Sequence, residues 1–269
     1  MPPPPAPRGH PEAIVRPKAG AQAFDVERIP ADPAVAEFVD YFWLVRWHVQ
    51  EPYRQQVVPQ PRVHVVAQDG RIMVHGVSRE PFFRTLRGEG HALGAAFHAG
   101  GFRPLLQRSV GSVSGTVPPA QDVLRADDRA AAARILAEQD SAPMLRTFVD
   151  FLLATGPRPD PTAREVTGLV AEAERRADII RAEQLARHAG MSLRSLQRLF
   201  TEYVGVGPKW VIQRFRILDA AAAAHAGGST DWASLAAELG FSDQAHLTRA
   251  FTRVVGTPPA TYARDAATS

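Results

Sequence analysis

Two stretches in the last third of the chain are imperfect copies of one another. The first runs from Leu185 to Gly205 and the second runs from Leu235 to Gly256. Each has a glycine near its middle, a serine two residues later, and apolar residues at helical spacing on both sides. This pattern predicts a helix, a turn and a second helix. A fold that accommodates both copies has to build one small helical unit twice.

The two copies agree at the positions that would be buried and differ at those that would face outward. Leu196 and Phe200 align with Leu247 and Phe251, which lie 51 residues further along the chain. The glycines that precede them are only 50 residues apart, so the second turn holds one additional residue. We therefore predict two helices with the same apolar pattern and different outer side chains.

The outer side chains of the first copy suit contact with DNA. Ser192 is the predicted N-cap of its second helix, and Arg194, Gln197 and Arg198 fall on the face opposite the leucines. Arginine and glutamine pair with the edges of guanine and adenine in the major groove. A single helix with one apolar and one polar side is often only a surface helix, but the duplication, the glycine turns and the serine caps favour two DNA-reading helix-turn-helix units.

Positive charge is concentrated around the first copy. Residues 187–216 contain six basic residues and one acid, Glu202, which gives a formal net charge of +5, whereas the whole chain carries only +3. Such a local excess favours contact with DNA phosphates. A helix predicted from Pro208 to about His225 would join the units rigidly, and paired recognition helices have to lie about 34 Å apart along one face of the duplex. We expect the first unit to bind DNA more strongly than the second.

The N-terminal half has a β-like texture from about Val35 to Val117. Residues 62–67 and 71–76 flank Asp69-Gly70, a dipeptide typical of a hairpin turn. Glycines between Gly88 and Gly101 predict tight turns between short strands.

Helical composition follows from Arg125 to Leu153, and residues 156–161 contain three prolines, which predict a linker. The predicted fold class is α+β. A β-rich mixed N-terminal domain, for which a barrel-like form is one alternative, precedes an all-α domain. The all-α domain contains two helix-turn-helix units joined by a long helix. The predicted boundaries are a disordered Pro-rich tail at 1–20, a regulatory, sensor or dimerisation domain at 21–155, a linker at 156–162 and a DNA-binding domain at 163–265.

Composition narrows the possible chemistry. The absence of cysteine excludes disulfides, thiolate catalysis and cysteine-ligated zinc. No apolar run reaches the ~18 residues of a membrane span, and the N-terminus lacks the apolar core of a secretory signal. We therefore expect a cytoplasmic protein without a membrane partner.

No catalytic or metal-ligand spacing is evident in the N-terminal half, so we expect no enzymatic activity, no cofactor and no metal. The histidines lack the His-x-His spacing of cupin-type metal barrels. The aromatic and polar residues of this half have two interpretations. They line a small-molecule pocket, in which Arg103 holds an anionic group, or they pack in the core. The candidate pocket residues are Trp47, His64, His75, Phe102 and Arg103.

The segment from about Val166 to Tyr262 resembles the DNA-binding domain of the AraC/XylS family of transcription regulators. The residues that carry the resemblance are Leu185-Ala186, Gly190-Met191-Ser192, Leu196-Gln197-Arg198-Leu199-Phe200, Gly205, Pro208, Leu235-Ala236, Gly240-Phe241-Ser242-Asp243-Gln244, Leu247-Thr248-Arg249-Ala250-Phe251, Gly256, Pro258-Pro259 and Tyr262. The resemblance implies seven helices, with two helix-turn-helix units joined by a long helix. It also implies a transcription regulator, more often an activator than a repressor.

By position, the resemblance implies contacts from both recognition helices. The base-reading residues would be Arg194, Gln197, Arg198, Gln244, Ala245, His246 and Arg249. The candidates for phosphate contact are Ser192, Thr201, Lys209, Arg214 and Thr248. Ala245 can touch only a thymine methyl group, so we expect the second copy to be the poorer reader. The implied partners are promoter or operator DNA, RNA polymerase, a small-molecule effector and a second copy of the chain in a homodimer.

The N-terminal half resembles an uncharacterised domain that precedes this module in one subgroup of the family. The residues that carry this second resemblance are Val58-Pro59, Pro61, Val63, His75-Gly76-Val77, Phe97-His98 and Gly100-Gly101-Phe102-Arg103-Pro104. It implies a sensor or dimerisation role and names no ligand. Two alternatives from other classes remain at this point, a DNA-associated enzyme with a catalytic N-terminal half and a helical interaction module that no longer binds DNA.

Overall fold

A computed structural model of the chain describes residues 23–225 and 230–267. The strands are β1 Phe24–Pro30, β2 Val39–Val57, β3 His64–Gln68, β4 Arg71–His75 and β5 Phe82–Phe97. The helices are α1 Arg103–Leu106, α2 Ala120–Leu124, α3 Asp128–Leu136, α4 Ser141–Ala154, α5 Pro161–Arg175, α6 Ala182–His188, α7 Leu193–Tyr203, α8 Pro208–His225, α9 Trp232–Glu238, α10 Gln244–Val255 and α11 Pro259–Ala267, with a short 3-10 helix at Val110–Val113. The predicted tail at 1–20 lies outside the described residues.

The five strands form one open antiparallel sheet in the order β1-β2-β5-β3-β4. β1 and β4 are its two edges and do not pair with each other, so the barrel-like form is wrong. Helices cover one face instead, with α3 against β4 and Phe148 of α4 packed on Phe42 of β2 at a ring-centroid distance of 5.9 Å. The predicted hairpin is confirmed, because Asp69 and Gly70 both have positive φ, at 49° and 75°.

The expectation of short strands separated by glycine turns is wrong for β5. Gly90 and Gly94 lie inside this 16-residue strand, where they pair with Trp47 and Trp43 of β2. The indole rings lie directly over the two glycines, so a Cβ at either position would overlap with a ring. Glycine is present here to admit the neighbouring side chain and does not form a turn. Gly100, with φ +94°, does lie in a turn as expected.

The predicted helical segments are confirmed on both sides of the proline-rich segment. α3 and α4 precede it, α4 ends at Ala154, and the described chain is helical with short connections from Pro161 onward. The domain boundaries themselves stay a prediction.

The helices form two pairs, α6–α7 and α9–α10. Both helices of the first pair and α10 of the second pack on the long helix α8, and α11 packs along α8 as well. The sheet region contacts this helical region directly, since the Thr167 hydroxyl of α5 donates to the Ala99 carbonyl oxygen at 2.7 Å and Arg164 pairs with Glu37 at 2.8 Å. Among the described helices, none is both long enough and apolar enough to cross a membrane.

Candidate nucleic-acid interface

The first helix-turn-helix unit consists of α6 and α7, separated by the four residues 189–192. Gly190 has φ +63°, a left-handed conformation that ends α6 at little cost only for glycine. The Ser192 side chain caps α7, accepting the backbone N–H of Ser195 at 3.1 Å. Leu196 and Phe200 are both 0% exposed. The buried side of α7 is therefore anchored, and its opposite side faces solvent.

The solvent-facing side of α7 carries the predicted base-reading residues. Arg194, Gln197 and Arg198 are all exposed, and neither arginine forms an ion pair with any other described residue. Glu202, the one acid on this helix, is bound by Arg103 of the N-terminal region, with Nε to Oε1 at 2.8 Å. Because the carboxylate is already paired, the two guanidinium groups remain available to a DNA partner.

The second unit consists of α9 and α10, separated by the five residues 239–243, so the predicted additional residue is confirmed. The expected serine cap is wrong here, because Asp243 occupies the cap position and its carboxylate accepts the backbone N–H of His246 at 2.7 Å. That hydrogen bond lowers the pKa of Asp243 below its usual value, with a smaller contribution from the Ser242 hydroxyl. The second recognition helix thus begins with a charged cap.

The outer face of α10 offers less to DNA than that of α7. Gln244, Ala245 and Arg249 are exposed, whereas His246 and Thr248 are half-buried. The His246 ring packs edge-on against Phe241 at 5.3 Å between ring centroids, and its Nδ1 lies 3.1 Å from the Ser242 hydroxyl. The imidazole is therefore already engaged within the protein.

The two turns differ in their surroundings. Gly240, with φ +77°, lies against Ile180, two residues before the start of α6, and a Cβ at Gly240 would be 2.8 Å from the Ile180 Cβ. Gly190 in the first turn faces open space. The second unit thus packs on the entry to the first, in addition to sharing α8 with it.

Arg216 on α8 holds the first unit from behind and is only 1% exposed. Its Nη2 donates to the carbonyl oxygens of Ala173, Arg176 and Ile179 at 3.0, 2.7 and 3.1 Å, and its Nη1 contacts Asp219 at 2.6 Å. These bonds satisfy backbone carbonyl groups at the end of α5 and in the segment before α6. The charge pattern of the sequence places Arg216 among the six basic residues expected near DNA and does not reveal that it binds these carbonyl groups. Its position four residues from the buried Ile212 and Ala220 is the signal that would have found it.

Arg214 is also buried, at 3% exposure, and its guanidinium lies 4.7 Å from the centre of the Trp210 ring. Burial lowers the pKa of Arg214 to about 10. A phosphate contact needs an accessible side chain, so we correct the assignment of Arg214. Of the six basic residues counted over 187–216, the four that are exposed are Arg187, Arg194, Arg198 and Lys209.

Comparison with known families agrees with this geometry. Residues 185–265, which include both turns and both recognition helices, match a family model described as a helix-turn-helix domain. The chain carries an AraC-type helix-turn-helix domain. Residues 27–119, which include β2 to β5 and most of β1, match a domain of unknown function, DUF6597. The presence of this domain supports a role for the chain as a DNA-binding transcription regulator.

Solved structures of ToxT from Vibrio cholerae are similar to the chain over most of its length. Unsaturated-fatty-acid-bound ToxT from strain SCE256 has 11% identity and a TM-score of 0.38, and the match covers 90% of this chain and 95% of that one. ToxT from strain O395 has 13% identity and a TM-score of 0.37, with 90% and 96% covered. Both TM-scores are low, so neither structure serves as a template for a site in this chain.

Two of the predicted pocket residues lie side by side in the sheet. His64 and His75 are register partners on β3 and β4, and Trp43 Nε1 donates to His64 Nδ1 at 3.2 Å. Burial lowers the pKa of His64 to about 3 and that of His75 to about 4. Both rings are therefore neutral at physiological pH.

The other three pocket candidates lie elsewhere. Phe102 is 1% exposed and packs against Phe97 at 5.1 Å, while Arg103 pairs with Glu202 of α7. Trp47 lies further along β2, and its Nε1 donates to the Arg87 carbonyl oxygen at 3.2 Å. The structure thus brings His64 and His75 together and leaves the remaining candidates apart.

Proposed function

We propose that this chain is a sequence-specific regulator that reads two adjacent major-groove segments of promoter DNA in the cytoplasm. Helix α7 reads one segment with Arg194, Gln197 and Arg198, and α10 reads the other with Gln244, Ala245, His246 and Arg249. The observation that carries the proposal is the outer face of α7, where Arg194, Gln197 and Arg198 are exposed opposite the fully buried Leu196 and Phe200, and where neither arginine forms an ion pair with a described residue. Arginine pairs bidentately with guanine and glutamine with adenine in the major groove.

Backbone contacts complete the proposed interface. Lys209 is exposed at the start of α8 and is our main candidate for a phosphate contact, together with Thr201 at the end of the outer face of α7. Ser192 and Thr248 stay in the proposal as short polar side chains at the edges of the two recognition faces. These contacts position the protein on DNA without selecting a sequence.

The test is selection of binding sites from a pool of randomised duplexes with the purified full chain. We expect a motif in two parts, with stronger base preferences in the part bound by α7. Arg198→Ala should erase the preference at one position of that part, whereas Arg129→Ala, which removes an exposed arginine on α3, should leave the motif unchanged. Failure of the wild-type chain to enrich any motif would refute the proposal.

We further propose that the N-terminal domain regulates DNA binding through a small-molecule effector or through pairing of two chains, and that the outcome is activation through contact with RNA polymerase. The ion pair between Arg103 of the N-terminal domain and Glu202 of α7 supports a regulatory role, because a change in that domain can reach the recognition helix through it. Light scattering on the full chain measures its oligomeric state, and a reporter driven by the selected site measures the sign of regulation. Reporter expression that falls when the protein is present would reverse the assignment as an activator. We propose no catalytic step for the chain.

A further inference from the structure

The segment 103–114 of the N-terminal domain lies against the C-terminal end of α7. The Ser109 hydroxyl donates to the carbonyl oxygen of Thr201 at 3.3 Å, and the Ser114 hydroxyl donates to that of Gly205 at 2.8 Å. Gly111 approaches so closely that a Cβ there would be 3.2 Å from the Thr201 carbonyl oxygen. Thr201 is the last exposed residue of the outer face of α7. The N-terminal domain is therefore fixed beside the proposed DNA-reading face.

Two exposed arginines lie in this part of the molecule. Arg108 directly precedes the serine that binds α7, and Arg158 belongs to a segment joined to the same region. The Arg158 N–H donates to the Pro104 carbonyl oxygen at 3.2 Å, and the Gln107 amide donates to the Gly156 carbonyl oxygen at 3.2 Å. Within residues 23–225 and 230–267, neither Arg108 nor Arg158 forms an ion pair.

The carboxylates near these arginines are already engaged. Glu202 is paired with Arg103 at 2.8 Å. Asp160 accepts the Tyr203 hydroxyl at 3.0 Å and the backbone N–H of Thr162 at 3.1 Å. The donors to Asp160 are neutral, so its charge has to be counted: the formal charges of Arg103, Arg108 and Arg158 exceed those of Glu202 and Asp160 by one, which suits an anionic partner.

The length of α7 decides which part of DNA this surface would meet. Its 11 residues span about 16 Å at 1.5 Å per residue, whereas the major groove is about 12 Å wide. A recognition helix places its N-terminal residues on the base edges, so the C-terminal end of α7 reaches a sugar–phosphate backbone. We propose that Arg108 and Arg158 bind DNA phosphates beside the end of α7, which makes the N-terminal domain and the proline-rich linker part of the DNA interface. The inference rests on the proposed function, because it requires that α7 enters the groove.

The test is the salt dependence of DNA binding by the full chain, measured by fluorescence anisotropy on a duplex of random sequence. Each phosphate contact adds about 0.9 to the slope of log K against log salt. The double variant Arg108→Ala/Arg158→Ala should therefore reduce the slope by roughly 2 and weaken binding at low salt by at least tenfold. Arg129→Ala is the matched control, since it removes an exposed arginine from α3, and we expect less than a twofold change. Unaltered thermal melting of each variant shows that the fold is intact.

A second measurement uses the absence of cysteine in the natural chain. Arg108→Cys carrying an iron chelate should cleave the DNA backbone next to the segment that α7 protects, whereas Arg129→Cys should give no localised cleavage. A slope equal to that of the Arg129→Ala control, or diffuse cleavage from position 108, would overturn the inference. If either result is obtained while Arg198→Ala still erases the sequence preference, only the inference about Arg108 and Arg158 fails and the proposed function survives. If the wild-type chain binds no DNA, the proposed function itself fails.

Discussion

The two helix-turn-helix units show how one scaffold can support two different surfaces. Leu196 and Phe200 of the first unit and Leu247 and Phe251 of the second are all 0% exposed, so the inner faces are equivalent. The outer faces differ, because Arg194 of α7 aligns with Ala245 of α10, so that the first six residues of α7 include two exposed arginines and those of α10 include one. The buried pattern preserves the position of a recognition helix, while the exposed residues are free to differ.

The units also differ in their attachment to the N-terminal domain. The first is bound by the Arg103–Glu202 ion pair and by the hydroxyl groups of Ser109 and Ser114. The N-terminal domain contacts the second unit through a hydrogen bond from the Gln56 side-chain amide of β2 to the Val254 carbonyl oxygen of α10, at 3.2 Å. A change in the N-terminal domain can therefore reach the first recognition helix through an ion pair, and the second through the contact of Gln56.

Because the inner faces of the two units are equivalent, removal of a core ring should destabilise both units to the same extent. Phe200→Ala and Phe251→Ala should each lower the free energy of unfolding by about 3–5 kcal/mol, since both rings are fully buried and their loss leaves a cavity. Denaturant unfolding of the full chain measures both. A much smaller loss for Phe251→Ala would show that the second unit is loosely packed and that the shared scaffold is not equivalent.

The turns should respond unequally to the same substitution. Gly190→Ala introduces a side chain at positive φ in open space, which costs about 1–2 kcal/mol. Gly240→Ala adds contact with Ile180 to the same strain and should lower the free energy of unfolding by a further 1–3 kcal/mol or so. Gly168→Ala, in the middle of α5 and facing open space, is the control and should be neutral or stabilising. Equal losses at the two turns would remove the inferred packing between the units.

The caps should differ in their response to acid. The folded-state pKa of Asp243 is lowered from its usual 3.8, so its stabilisation of α10 is present above pH 3.8 and is lost as the pH falls through the lowered pKa. Ser192 carries no titrating group, so its bond to the Ser195 amide should not follow this transition. Amide chemical shifts of His246 and Ser195 during an acid titration measure the two caps separately. Asp243→Asn should abolish the response at His246, and a parallel response at Ser195 would indicate general unfolding instead.

Features that depend on neighbours along the chain were predictable from the sequence. The Asp69-Gly70 hairpin, the two helix pairs and the start of α8 at Pro208 follow from local turn chemistry and apolar spacing. The exposed faces of α7 and α10 follow from the same spacing, because a buried stripe determines which residues face outward.

Features that depend on distant residues were not predictable. The glycines of β5 are explained by indole rings on β2, and a charge count does not reveal that Arg214 and Arg216 are buried. The contact of Ser109 with α7 joins residues 92 positions apart. Such contacts arise only when the sheet and the helices are placed together, and no local pattern records them.

The central claim is that the two units read DNA unequally. Its most direct test is the affinity of Arg198→Ala and Arg249→Ala for the selected site, measured side by side by fluorescence anisotropy. We expect Arg198→Ala to weaken binding by about 1–3 kcal/mol, or roughly 5- to 150-fold, and Arg249→Ala to weaken it by less than about 1 kcal/mol. Equal losses, or a larger loss for Arg249→Ala, would contradict the account.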